Sequence, residues 1–386
     1  MRTKAAVEHW IDIRELSDDD AARRIGADGI DVLVDINGHT RDSRTGVFAR
    51  HPAPVQVNWL GYPGTMASPY HHYIIADGWI VPEGSEIFYS EKVARLPCYQ
   101  PNDRKRQIAP ERPTRPAVGL PDDAFVFCCF NGTHKITRPT FDRWLEILNR
   151  VPSSVLWLLE SSKETMTRLA DYAERKGVAR SRIVFAPRER NPVHLARYPL
   201  ADLFLDTAPY GAHTTASDAL WMGVPVLTLS GRSFASRVCG SLVRSAGLAN
   251  LVVTRPGDDV ERAIALANNR TEIEAYKAKL EAGRHTCTLF DTDLLVRHLE
   301  ELYRTMCRDH HMGRVPAPEL HNLDAYLDAG IDHDHETDEL LGQEEYREHY
   351  KKKLSRLHLA RPIAPDNRLW TVKDITSLEG SPRRTA

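Results

Sequence analysis

The sequence predicts an α/β protein built from two doubly wound, Rossmann-like domains. Short apolar runs in the first hundred residues have the look of buried parallel strands. Strand-like and helix-like segments then alternate regularly after residue 125. A proline-rich stretch separates the two regions.

In the first region the strand-like runs are Ile30–Ile36, Val55–Leu60, Tyr73–Asp77 and Lys92–Leu96. They lie about 20–25 residues apart, which leaves room for a strand and a crossover. Trp10, Ile11 and Ile13 read as one more strand. A doubly wound domain usually has a strand and a helix before such a point, so the chain is expected to start inside a domain. Residues 1–100 are therefore assigned to a first, partial lobe. Residues 101–121 carry Pro101, Pro110, Pro113, Pro116 and Pro121 among charged residues and read as a linker.

The second lobe is expected over 122–308. It opens on the strand Phe125–Phe130. Helix Phe141–Arg150, strand Ser154–Leu159, helix Lys163–Lys176 and strand Arg182–Phe185 follow. Then come a short helix near His194, strand Leu203–Leu205, a helix from Thr215 and strand Val226–Leu229. Such sheets bind ligands beyond the carboxyl ends of their strands, and two lobes joined this way would face each other across a cleft. Residues 291–308 place Leu294, Leu295, His298, Leu299 and Leu302 on one helical face and should close the second lobe. Residues 309–386 are dense in charge and read as a helical appendage with a disordered end.

Composition narrows the function. The chain has 386 residues, 42% of them hydrophobic, and a net charge of −2. Nothing global steers it to nucleic acid or to a membrane surface. No apolar run approaches the ~20 residues of a membrane span, and the first residues lack the apolar core of a secretory signal. The six cysteines form no CxxC pair and are expected to be reduced thiols of a cytoplasmic protein.

Three segments carry chemistry. In Asp206–Pro225 a strand leads through a small-residue loop into a helix, whose first N–H groups and dipole favour an anion. Thr214 and Thr215 add hydroxyls there, and Asp218 could hold a ribose hydroxyl; the same residues also suit plain helix capping. In Cys129–Ile136, Lys135 could neutralise a departing phosphate, or be an ordinary surface charge. In Phe185–Arg188, backbone groups could read a base edge, with His194 stacked on it, or the segment could be a loop before a half-exposed helix. Asp35–Thr40 and Gly61–Thr65 end two strands of the first lobe and could meet a sugar or an acceptor. His9 is a candidate acid/base or sugar contact. Asp291-Thr292-Asp293 has metal-binding spacing but sits where a helix start wants carboxylates. The run Asp332–Glu336, with His310 and His311, reads as solvated charge. No metal is assigned.

In their order along the chain these segments resemble the catalytic region of the O-linked N-acetylglucosamine transferase and SPINDLY family, glycosyltransferase family 41. The matching stretches are EHWIDI at 8–13, VDINGHTR at 34–41, PAPVQVNWLGYPGT at 52–65 and HYIIAD at 72–77. In the second lobe they are FNGTHKI at 130–136, VPSSVLWLL at 151–159, RIVFAP at 182–187, ADLFLDT at 201–207, GAHTTASDALWMGVPVLT at 211–228 and FASRV at 234–238.

The resemblance implies a GT-B fold and an inverting transfer, without metal or other cofactor, from a nucleotide sugar to Ser or Thr hydroxyls of an acceptor protein. By motif position Lys135 is the lysine that steadies the leaving diphosphate. His213, Thr214 and Thr215 match the diphosphate-binding triplet, and Asp218 the ribose-binding aspartate. Ala186, Pro187, Arg188, His194 and Arg197 match the base-binding region. Gly132 stands where the family has a glutamine, and His9 matches a histidine near the donor sugar. The tetratricopeptide repeats of the family, and its upstream histidine in a His-Pro stretch, do not occur in this sequence. The favoured donor is UDP-N-acetylglucosamine. GDP-fucose, UDP-glucose, or nucleotide-sugar binding without catalysis are the alternatives, and a GT-B epimerase lacks a suitable carboxylate pair.

Overall fold

The computed structural model describes residues 4–330, 334 and 343–379. Their contacts form two units. One runs up to Ala76 and includes Gly84–Arg95 and His298–His321. The other comprises Asp77–Glu83, Leu96–Arg297 and the chain from Asn322 on.

In the first unit, helix α1 (Asp18–Ala27) starts on Ser17, whose hydroxyl accepts from the Asp20 N–H at 3.1 Å, with three aspartates in the first turn. Strands β1 (Val32–Asp35), β2 (Val55–Asn58), β3 (Tyr73–Asp77) and β4 (Lys92–Leu96) form a sheet in that order. β1 pairs β2 in parallel, Val32 against Val55, and β2 pairs β3 in parallel, Val57 against Tyr73. All four strands fall on the expected runs. The crossovers are slighter than expected: between β1 and β2 there is only the four-residue α2 (Thr45–Phe48).

The expected strand at Trp10–Ile13 does not form. The Asp12 carboxylate accepts from the Arg14 N–H at 3.1 Å, which turns the backbone. Trp10 and Ile11 stay exposed, while Ile13 packs beside Ala21, Ala22, Val47 and Phe48.

The second unit is a six-stranded sheet: β5 (Phe125–Cys129), β6 (Ser154–Leu159), β7 (Ile183–Ala186), β8 (Leu203–Leu205), β9 (Val226–Leu229) and β10 (Val252–Val253). Their order is β10-β9-β8-β5-β6-β7, and the neighbours pair in parallel. The sheet therefore grows one way from β5 through β6 to β7, and the other way from β8. The switch point lies between β5 and β8, where a doubly wound sheet opens a crevice.

Helices α3 (Arg138–Arg150), α4 (Lys163–Arg175), α5 (Asn191–Arg197) and α6 (Thr214–Trp221) supply the connections, as the sequence led us to expect. The helices α7 (Phe234–Ser245), α8 (Asp258–Ala267) and α9 (Arg270–Gly283), and β10, complete the unit. Every residue of β5 is buried, as is every residue of β9.

The contacts group residues differently from the expected boundaries. The proline-rich 101–121 stretch belongs with the second unit because polar side chains tie it down. Asn102 Nδ2 donates to the Leu289 carbonyl at 3.0 Å, and Arg115 pairs with buried Asp202 at 2.9 Å. Helix α10 (Thr292–His311) divides at His298, where its second part joins the first unit. Helices α11 (Leu323–Gly330), α12 (Gln343–Ala360) and α13 (Val372–Glu379) form the expected helical appendage and group with the second unit. Its expected disordered end, and the Asp332–Glu336 run apart from Asp334, lie outside the described residues.

Candidate functional site

The switch point brings the β5–α3 and β8–α6 loops together. Asn131, two residues past the end of β5, is buried, and its Nδ2 donates to Thr207 Oγ1 at 2.7 Å. Its Oδ1 accepts from the hydroxyl of Thr215 in the first turn of α6. One amide thus spans both loops and the helix start. Asp206, at the end of β8, organises the loop from below. It accepts from the N–H of Thr207 (2.8 Å), the N–H of Ala212 (2.7 Å) and the hydroxyl of Thr228 (2.7 Å). Burial raises its carboxyl above the usual range against the pull of these donors.

Lys135 ends a single turn, Thr133–Lys135, that follows β5. Its ammonium donates to the Gly211 carbonyl at 3.0 Å and lies 3.9 Å from the centre of the Tyr210 ring. Burial lowers its pKa, and Asp206 opposes the shift. It is a fixed, half-buried cation rather than a solvated one.

His213 precedes α6 and makes no side-chain capping bond to it. Side-chain caps are present on α1, α3, α4, α7 and α9 and absent from α2, α5, α6 and α8. The first N–H groups of α6 are thus left for another partner. The His213 ring stacks on Tyr210 at 5.3 Å and is held by a hydrogen bond to the Ala235 backbone. Its Nε2 is buried and has no hydrogen-bond partner among the described residues. Burial, then the nearby Lys135 charge, hold its pKa down to about 4. Thr214 is exposed, and Thr215 is half-buried.

The proposed base-binding residues gather at the ends of β7 and α5. Arg197 Nη1 donates to the Pro187 carbonyl at 2.6 Å, and Nη2 meets His194 Nδ1. The Arg197 guanidinium lies 4.9 Å from the Phe130 ring centre. Burial brings His194 to about 4, so it is a neutral ring near pH 7. The Ala186 carbonyl accepts from the Glu160 N–H at 2.8 Å, and Arg188 is exposed. Gly132 lies at the start of the Lys135 turn. A Cβ there would run into the imidazole of His134, so this ring fills the space a side chain at 132 would take.

Asp218 is buried, and its Oδ1 is bonded to Arg106, a residue of the proline-rich stretch. Residue patterns did not single out Arg106, Asn131 or Asp206. Asn131 and Asp206 lay inside the quoted motifs, but Arg106 carries no motif signal.

In the first unit the two polar loops meet each other. Gly61 passes so close to Ile36 that a Cβ would strike its carbonyl oxygen. Within the Asp35–Thr40 loop, Asp35 is buried, accepts from the N–H groups of Asn37 (2.9 Å) and Gly38 (2.8 Å), and pairs with buried His71 at 3.2 Å. His9 is exposed on the irregular N-terminal segment. Asp291 and Asp293 serve the start of α10. Asp291 accepts from the Leu294 N–H at 2.9 Å, and both face Arg104, at 3.7 and 3.8 Å.

Two units with parallel sheets, the second with polar loops meeting at its switch point, have the architecture of a two-domain glycosyltransferase. A solved Anabaena structure, Alr3699/HepE in complex with UDP and glucose, shares the fold at a TM-score of 0.53 and 13% identity, over 77% of this chain and 84% of that one. The sequence model described as glycosyl transferase family 41 matches residues 1–108 and 105–299, and the chain belongs to that family.

Among curated relatives, the probable UDP-N-acetylglucosamine–peptide N-acetylglucosaminyltransferase SEC of Arabidopsis thaliana is 38% identical over 322 residues, 82% of this chain and 33% of its own. The SPINDLY protein of Solanum lycopersicum is 33% identical, over 80% of this chain and 33% of its own. A mutant of the Thermobaculum terrenum O-GlcNAc transferase superposes with a TM-score of 0.74 at 34% identity, over 80% of this chain and 59% of that one. The chain spans about a third of the length of the curated relatives it matches.

Proposed function

We propose that this chain transfers N-acetylglucosamine from UDP-N-acetylglucosamine to Ser or Thr hydroxyls of an acceptor protein, with inversion and without a metal. The main support is one neighbourhood: the Lys135 ammonium is held on the Gly211 carbonyl, two residues before His213 and the uncapped start of α6. Fixed positive charge and free N–H donors at one place suit a diphosphate. In this scheme Lys135 takes the charge that develops on the departing diphosphate. His213, Thr214 and Thr215 hold its oxygens, and the buried, unpaired Nε2 of His213 gains a partner when they bind. Asp218 holds the ribose. Ala186, Pro187, Arg188, His194 and Arg197 hold the base, Gly132 lets the chain pass close to the donor, and His9 meets the donor sugar.

The acceptor oxygen attacks the anomeric carbon as the bond to the β-phosphate oxygen breaks. The hydroxyl proton passes to a base, for which a phosphate oxygen of the donor suffices. A cytoplasmic location fits the six unpaired thiols.

Incubation with radiolabelled UDP-N-acetylglucosamine and Ser/Thr peptides should label the peptide. UDP binding by calorimetry without any labelling would reduce the chain to a donor-binding unit. A larger thermal shift with GDP than with UDP would replace the donor.

A further inference from the structure

Asp218 does not stand alone. Arg106 Nη1 bonds to its Oδ1, and Nη2 of the same guanidinium donates to the hydroxyl of the neighbouring Ser217. Ser217 in turn donates to Asn102 Oδ1 at 2.5 Å, and Asn102 Nδ2 donates to the Leu289 carbonyl at 3.0 Å. The Arg106 and Asp218 side chains keep only 8% and 10% of their surface exposed. The guanidinium packs 5.5 Å from the Trp221 ring centre and 5.7 Å from that of Phe290. Asp218 Oδ2 carries no hydrogen bond among the described residues. One oxygen is therefore fixed and the other is left over, on the first turns of the helix whose start is uncapped.

Charge explains why the carboxylate needs this partner. Burial pushes the Asp218 carboxyl upward, and Arg106 is what opposes the shift. A planar guanidinium forked over two adjacent side chains also sets the carboxylate's rotation in a way a lysine cannot.

We propose that Arg106 is a positioning residue for the donor nucleotide: it anchors Asp218 Oδ1 so that Oδ2 is presented to the ribose hydroxyls. The role rests on the donor-site assignment above and adds to it a residue from outside the sheet loops.

Calorimetry with UDP and with 2′,3′-dideoxy-UDP separates positioning from packing. The unaltered chain should prefer UDP by about tenfold or more, the worth of a charge-assisted hydrogen bond. Arg106→Met keeps the apolar stem between Trp221 and Phe290. It should lose about tenfold in UDP affinity and bind both nucleotides within about twofold of each other. Arg106→Lys should fall between, and carries the comparison if thermal melts show that Arg106→Met does not fold. A uniform loss on both nucleotides, or an unchanged preference for UDP in both variants, overturns the proposal. An unaltered chain that binds both nucleotides equally overturns the role of Asp218 and of Arg106 with it. An unaltered chain that binds neither overturns the donor-site assignment itself.

Discussion

At the scale of single residues, the candidate site combines fixed cations with rings kept neutral by burial. Lys135 is held on the Gly211 carbonyl and the Tyr210 face, so it is already placed before any ligand arrives. In the proposed transfer, where the charge would be needed most as the diphosphate departs, Lys135→Ala should lower the rate by about a hundredfold or more and weaken UDP binding far less. Single-turnover rates beside calorimetric affinities check this; equal losses in both would make Lys135 a ground-state binder. His72, His194 and His213 are all lowered to about 4, chiefly by burial. In the unfolded chain these rings take up protons near 6.5. Their contribution to stability is therefore complete above 6.5 and is lost as the pH falls toward 4. Urea denaturation at pH 7.0, 5.5 and 4.5 should show that decline, with a shallower slope in His213→Gln. Lys135, His213 and Thr215 were legible from their motif. Asn131 was not, because an asparagine beside a glycine reads as a turn until its bonding partners, 75, 76 and 84 positions away, are known.

At the scale of elements, the β8–α6 loop is shaped by the buried carboxylate of its own first residue, Asp206. Asp206→Ala would leave the Thr207 and Ala212 N–H groups and the Thr228 hydroxyl without their acceptor. The expected cost is about 3 kcal/mol, from several buried donors left unsatisfied. Chemical denaturation would measure it, and a loss under about 1 kcal/mol would show that the loop finds other acceptors. The strands were the most legible elements: Ser154–Leu159, Leu203–Leu205 and Val226–Leu229 stand where their apolar runs predicted. A buried parallel strand has to be apolar on both faces, so its run is continuous and bounded. Trp10–Ile13 failed by the same logic. It has apolar residues but no neighbouring strand to satisfy its backbone.

At the scale of the whole molecule, the described part of the charged C-terminal segment forms the expected helical appendage around a small core of its own. Its core needs few residues: Trp370 and Leu354 are fully buried, and the Tyr350 hydroxyl donates to the Tyr326 carbonyl at 2.6 Å. Arg232, in the loop after β9, lies 3.3 Å from the centre of the Tyr346 ring and ties this segment to the second unit. Trp370→Ala should cost the segment about 3–5 kcal/mol. Hydrogen exchange should then quicken in α11–α13 while β5, β8 and β9 keep their protection. Equal loosening of the sheet would mean that the segment and the sheet unfold as one.

The sequence by itself determined the α/β class, all the strands but the short β10, the family, and the residue types at the start of α6. Each is written in local pattern: continuous apolar runs, a small-residue loop opening a helix, and motifs in a fixed order. Only the tertiary structure decided which loops meet. Strand β8 lies beside β5, not beside β7, which precedes it in the chain. That pairing sets Lys135 against Gly211 and Asn131 against Thr207 and Thr215. Likewise, only the fold brings a linker arginine to Asp218, 112 positions away. Strand order and long-range ion pairs are settled by packing among distant segments, and no run of neighbouring residues encodes them.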